Sequence, residues 1–152
     1  WIDIIDGSPL TFLFTINPGL VGELTVVDTG FAGDTFKVYN NATLLGSTSA
    51  VALQTDLSAP LLFDPDLALA NFAFSRMSFS LSPGTYLVSG VLEQSVMDST
   101  SGAPLNSTSG DIRLTASPIP EPGTWATLLA GLGLLSVYIR RRVAGADTTS
   151  AF

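Results

Sequence analysis

Apolar and polar residues alternate with period two along much of the first 117 positions, and the interruptions are clusters of Gly, Pro, Asn and Asp. That pattern predicts half-buried strands joined by tight turns. The runs are residues 10–16, 23–27, 35–39, 43–45, 76–81, 85–92 and 112–115. In the run 76–81 the alternation is clearest: Met77, Phe79 and Leu81 share one face, while Ser78 and Ser80, followed by Ser82, share the other. One face belongs in a core and the other in water. Asn40-Asn41 and Pro83-Gly84 are the expected corners, because Asn and Gly accept a positive φ and Pro presets its own. Short strands with turn signals between them and no long helical pattern argue for a mainly β fold, an antiparallel β-sandwich of jelly-roll type. Residues 49–71 interrupt it with Pro60, Pro65 and three aspartates, and residues 67–74 fit either a short helix or another strand. A long excursion of this kind is where a ligand site is expected. Residues 99–109, rich in Ser, Thr, Gly and Pro, read as a flexible loop before the last strand.

The pattern changes at Ser117. Pro118, Pro120 and Pro122 stand at alternate positions, which favours extended, solvated backbone over sheet or helix interior. Residues 124–139 then carry no charge, and Arg140, Arg141 and Arg142 follow. As a helix this run spans about 24 Å against a hydrocarbon core of about 30 Å. Trp125 and Tyr138 sit where aromatic rings favour the two interfaces, and the arginines act as a stop-transfer signal that stays cytoplasmic. A single C-terminal transmembrane helix is therefore expected, with the β-rich part outside. The layout is an extracytoplasmic domain over 1–117, a tail signal over 118–142 and a short cytoplasmic end over 143–152.

Charge sharpens this division. Residues 1–122 are net −9 and residues 123–152 net +2, together the chain's −7. Nucleic acid is excluded as a partner, because Lys37, Arg76 and Arg113 are the only bases in the acidic part and phosphate binding needs a basic patch. With no His and no Cys there is no disulfide framework, no Cys/His zinc site and no nucleophile–histidine pair. About 120 residues suffice for one core and not for two domains. The chain opens on Trp1 and not on methionine, so a removed leader or a fragment of a longer protein is expected.

Pro120-Glu121-Pro122-Gly123, then a short apolar helix with small residues, then the arginine cluster, together resemble the PEP-CTERM sorting signal of exported bacterial proteins. The resemblance implies an exported chain, arrested at the membrane by its tail. It further implies recognition at or near Pro120–Pro122 by exosortase, a membrane-embedded, transpeptidase-like cysteine protease. By the same resemblance the hosts are Gram-negative bacteria that make exopolysaccharide, and the destination is the cell surface or a biofilm matrix. One departure is the ten residues after the arginines, more than the family usually carries. The stretches Leu24–Asp28, Gly33–Tyr39, Leu45–Ser49 and Leu81–Tyr86 are also similar to uncharacterised surface domains that precede this signal, which implies no known activity.

The remaining chemistry is sparse. Asp28 and Asp34 flank a Gly-containing loop and are candidate calcium ligands, with Asp56, Asp64 and Asp66 as further donors; turn formation by aspartate accounts for the same residues without a metal. No cofactor is otherwise expected. Glu23 and Glu93 are the candidate acids for glycosidase chemistry, but nothing in the sequence places either beside an aspartate in a cleft, and an enzyme is not expected. Trp1, Phe31, Tyr39 and Tyr86 are candidates for stacking on sugar rings, while Phe12, Phe14, Phe36, Phe72, Phe74 and Phe79 read as core. Asn41-Ala42-Thr43 and Asn106-Ser107-Thr108 match the glycosylation sequon. An alternative to sorting is a permanently anchored single-pass protein with a carbohydrate- or calcium-binding ectodomain.

Overall fold

The structure is a computed structural model, and it describes residues 10–106, 108–119 and 122–146. Trp1, Ser107 of the second sequon, Pro120, Glu121 and the terminal residues 147–152 lie outside the described residues. The chain divides into two compact units, Trp1–Pro118 and Ile119–Phe152.

The first unit is mainly β. Its elements are β1 (Phe12–Ile16), β2 (Leu20–Phe31), β3 (Thr35–Asn40), β4 (Thr43–Ser47), β5 (Leu61–Leu62), α1 (Pro65–Ala70), β6 (Arg76–Leu81), β7 (Gly84–Gln94) and β8 (Ser109–Pro118). They form two antiparallel sheets. One has the order β1-β7-β3-β4; in the other β2 is the hub, bordered by β8 along its length and by β6 and β5 in succession. Both expected corners exist, with different jobs. Asn41, at φ 51°, closes the β3–β4 hairpin. Pro83-Gly84 instead carries the chain from β6 in one sheet to β7 in the other, and the Tyr86 hydroxyl braces that crossing by donating to the Ser82 carbonyl at 2.8 Å.

Both sheets feed the larger core: Ile16, Val38 and Val88 from one, Leu24, Val26, Phe79 and Leu81 from the other. Each such side chain, fully buried, stabilises the fold by about 1.5–3 kcal/mol relative to leaving it in water. Gly22 allows the closest approach, since a Cβ there would stand 2.2 Å from Ile16 Cδ1. Val27, one residue past Val26, faces the opposite side and joins a second cluster with Ala32, Ala68 and Phe74 under α1. That helix starts where Asp64 accepts from the amides of Asp66 and Leu67 at 2.9 and 3.1 Å, with Pro65 as its first residue.

The structure corrects several expectations. Residues 67–74 are not one element: α1 ends at Ala70 and a turn follows. Phe72 is 86% exposed, lying under the Arg76 guanidinium at 4.5 Å, and not core. Met77 is 44% exposed and not core, although its register partner Val26 belongs to the larger core cluster. Pro118 is the last residue of β8, opposite Leu20, a position where its missing N–H costs no interior pairing.

The second unit contains α2 (Pro122–Ala146). No helix among the described residues is long and apolar enough to cross a membrane, which corrects the transmembrane expectation. The physical reason is the short uncharged run, about 24 Å of helix, diluted by Gly131, Gly133, Thr127 and Ser136. The two hydroxyls turn back on the helix, Thr127 donating to the Gly123 carbonyl and Ser136 to that of Gly133, both at 2.7 Å.

Candidate sorting site and buried acidic pair

Two places in the chain concentrate function-bearing residues. The first begins where β8 ends. Pro118 and Ser117 are still in register with Leu20 and Val21 of β2, and β2 has no residue before Leu20 with which the chain could go on pairing. Ile119 is exposed, and four residues past Pro118 the backbone is already helical, with Pro122 in the first turn, where its missing N–H is tolerated. Gly123, Trp125, Tyr138 and Arg140 are all exposed along α2. Trp125 and Tyr138 stand about 20 Å apart along the helix axis, with Leu128, Leu129, Leu132, Leu134 and Leu135 exposed between them. The side chains of Pro122, Arg141 and Arg142 lie outside the described ones, as do Pro120 and Glu121 altogether.

The second place is the β2–β3 connection. Asp28 and Asp34 are 0% and 2% exposed. Asp28 Oδ2 accepts from the amides of Gly33 and Asp34, both at 3.2 Å, and Asp34 Oδ1 accepts from the amide of Val96 at 2.7 Å. Asp28 Oδ1 is buried with no hydrogen-bond partner. Burial first, and the neighbouring Asp34 carboxylate second, push the Asp28 carboxyl up to about 8, against backbone hydrogen bonds that pull the other way. Asp34 is raised as well, through burial. The arrangement suits a carboxylic acid that keeps its proton at neutral pH.

The other acids have separate structural tasks. Asp64 caps α1, Asp66 pairs with Arg113, and Asp56 accepts from Leu57 beside it and from Ser99 in the connection between β7 and β8. Hydrogen bonds from Ser99 hold Asp56 below the usual carboxylate range. Among the described residues no group of three or more His, Cys, Asp or Glu side chains stands ready to hold a metal ion. Glu93 pairs with Lys37 at 2.9 Å across β3 and β7. Glu23 lies on the outer face of the second sheet, in a shallow groove of about 270 Å³ with Ser78, Ser80, Thr115 and Ser117, and no aspartate lines it. Tyr86 is stacked on Phe14 with ring centroids 5.6 Å apart, Phe31 ends β2, and Tyr39 lies in β3, all half-buried.

What sequence reasoning missed is the burial of the acidic pair. The signal was present: Leu24, Val26 and Asp28 share one strand face by period two, and so do Asp34, Phe36 and Val38.

A β-rich unit whose last strand ends at Pro118, followed in the sequence by prolines at alternate positions, a short uncharged run and arginines, defines a protein with a C-terminal sorting tail. The family model of the PEP-CTERM protein-sorting motif matches residues 118–142. The chain is a PEP-CTERM domain-containing protein: exported, with a membrane-associated step, and sorted through exosortase, a membrane enzyme. No curated protein and no solved structure matches the chain.

Proposed function

We propose that this is a non-enzymatic protein of the cell surface or of an exopolysaccharide-rich matrix in a Gram-negative bacterium, delivered by exosortase processing of its tail. The observation that carries the reading is the family match over 118–142, which begins at the last residue of β8. The segment around Pro120, Glu121, Pro122 and Gly123 presents the cleavage region. The apolar part of α2 associates the precursor with the membrane as a short-lived tether, with Trp125 and Tyr138 favouring the membrane–water boundary and Arg140, Arg141 and Arg142 keeping their charges in water. The β unit fits a sandwich of jelly-roll type, a reading supported by a core that both sheets share. Released, a strongly acidic domain stays soluble and repels copies of itself. Mass spectrometry of the C-terminus of the native, released protein is the test. A mature end between about residues 118 and 123 is expected from the position of the motif, and intact Phe152 in released material would refute processing.

A further inference from the structure

The junction between fold and signal has no spacer. β8 runs to Pro118 in register with β2, and the sorting motif starts at that same residue. Pro120–Pro122 therefore stand only a few positions beyond a hydrogen-bonded strand. A peptidase takes its substrate as an extended chain with both backbone edges free, and it needs several residues on the N-terminal side of the cut bond. Here, for a cut near the motif, some or all of those residues belong to β8, which ends only at Pro118. The strand is suited to giving them up. Nine of its ten residues are exposed and only Ile112 is half-buried, so little apolar surface holds its end. Among the described residues it pairs with β2 alone, leaving its other edge open. The low-stability end of a sheet opens more readily than its centre, and cleavage of a transiently opened segment follows the population of the open form.

We propose that the processing enzyme's docking surface on this protein includes the end of β8, residues 114–118, and that these residues leave β2 for the tail to be cut. The inference rests on the sorting reading above and adds to it a conformational step set by this fold. Unprocessed precursor is then the form whose β8 end is paired, and anything that holds Ser117 and Pro118 against β2 protects the tail.

The test follows processing of the full precursor in exosortase-bearing cells. Val21 and Ser117 are register partners, and the chain has no cysteine, so Val21→Cys with Ser117→Cys places a single disulfide across the β2–β8 end. The oxidised double variant is expected to be cut roughly tenfold or more slowly than the same variant kept reduced, because cross-linking removes the open population. Inserting a flexible Gly/Ser linker of about six residues between Pro118 and Ile119 restores cutting of the oxidised form and accelerates the otherwise native precursor several-fold. Equal rates for oxidised and reduced forms, or a linker that changes nothing, overturn the inference. The linker variant also answers the case in which the double cysteine variant fails to fold. Glu121→Ala separates the two levels. If it blocks processing while the cross-link is without effect, strand release is wrong and sorting stands; if it is processed normally, the sorting reading itself fails.

Discussion

Asp28 is the residue whose replacement is most informative about this fold. In the native state its carboxyl is raised to about 8 from 3.8. Between those two pH values the folded chain holds a proton that the unfolded chain releases, so the unfolded state binds fewer protons and stability falls as pH rises. The contribution is fully present below pH 3.8 and lost progressively up to about 8, above which it levels off. At 1.36 kcal/mol per unit the loss by pH 7 is about 4 kcal/mol as an upper bound, since water recruited to the charged form lowers it. Asp34, also raised, acts in the same direction.

Asp28→Asn removes the proton requirement and keeps the shape. The amide oxygen can accept from Gly33 and Asp34 as Oδ2 does now, and the NH2 group takes the place of the unpartnered Oδ1. The variant is expected to be more stable than the native chain at pH 8 by about 1–4 kcal/mol, to match it near pH 4, and to show a flatter profile between. Urea unfolding at a series of pH values, followed by circular dichroism with a constant slope, measures this directly. Native stability that is flat or rising from pH 5 to pH 9, or a variant weakened equally at every pH, would show that Asp28 is not held as a neutral acid. Millimolar calcium is included as an arm. Stabilisation of the native chain at pH 8 that the variant lacks would mean that a cation replaces the proton between the two carboxylates.

Other packing and hydrogen-bonding contacts are open to single substitutions. Gly22→Ala drives a methyl group into Ile16 Cδ1 and is expected to lower unfolding stability by about 1–3 kcal/mol; Ile16→Val, which removes that atom, recovers part of the loss in the double variant. Thr48 is buried and accepts hydrogen bonds from the Phe36 amide and the Ser75 hydroxyl, both at 2.9 Å. Thr48→Val strands both donors at a cost of about 1–3 kcal/mol, whereas Thr48→Ser retains them, so a thermal denaturation comparison of the two separates hydrogen bonding from packing. Asp64→Ala removes the α1 cap and costs about 1 kcal/mol, read as faster amide exchange confined to the first turn of that helix.

What could be read from the chain, and what could not, follows the length over which each pattern repeats. In β6 several residues repeat the period of two, enough to fix the element and the inward side of Phe79 and Leu81. β5 has two residues and α1 six, too few to show a period, so β5 went unread and the helix stayed one of two alternatives over 67–74. Aromatic identity was a poor guide there for the same reason. Phe74 is buried and Phe72 is not, although no sequence repeat distinguishes them; the turn after α1 does. The acidic pair shows the opposite failure, in which a visible pattern was overridden by a residue preference. Alternation pointed Asp28 inward with Leu24 and Val26, yet aspartate's preference for exposed turns argued for a loop. The tail shows a third kind of limit. Its order of proline, apolar run and arginine is a local signature and was legible, but a span depends on length against lipid thickness, and the uncharged run falls several ångströms short. That shortfall has a consequence for the motif itself. On the proposed reading, a tail whose uncharged run is shorter than the hydrocarbon core has weak purchase on the lipid, and residence of the precursor at the membrane then depends on how quickly its junction is engaged. In this chain that junction begins at the last paired residue of β8.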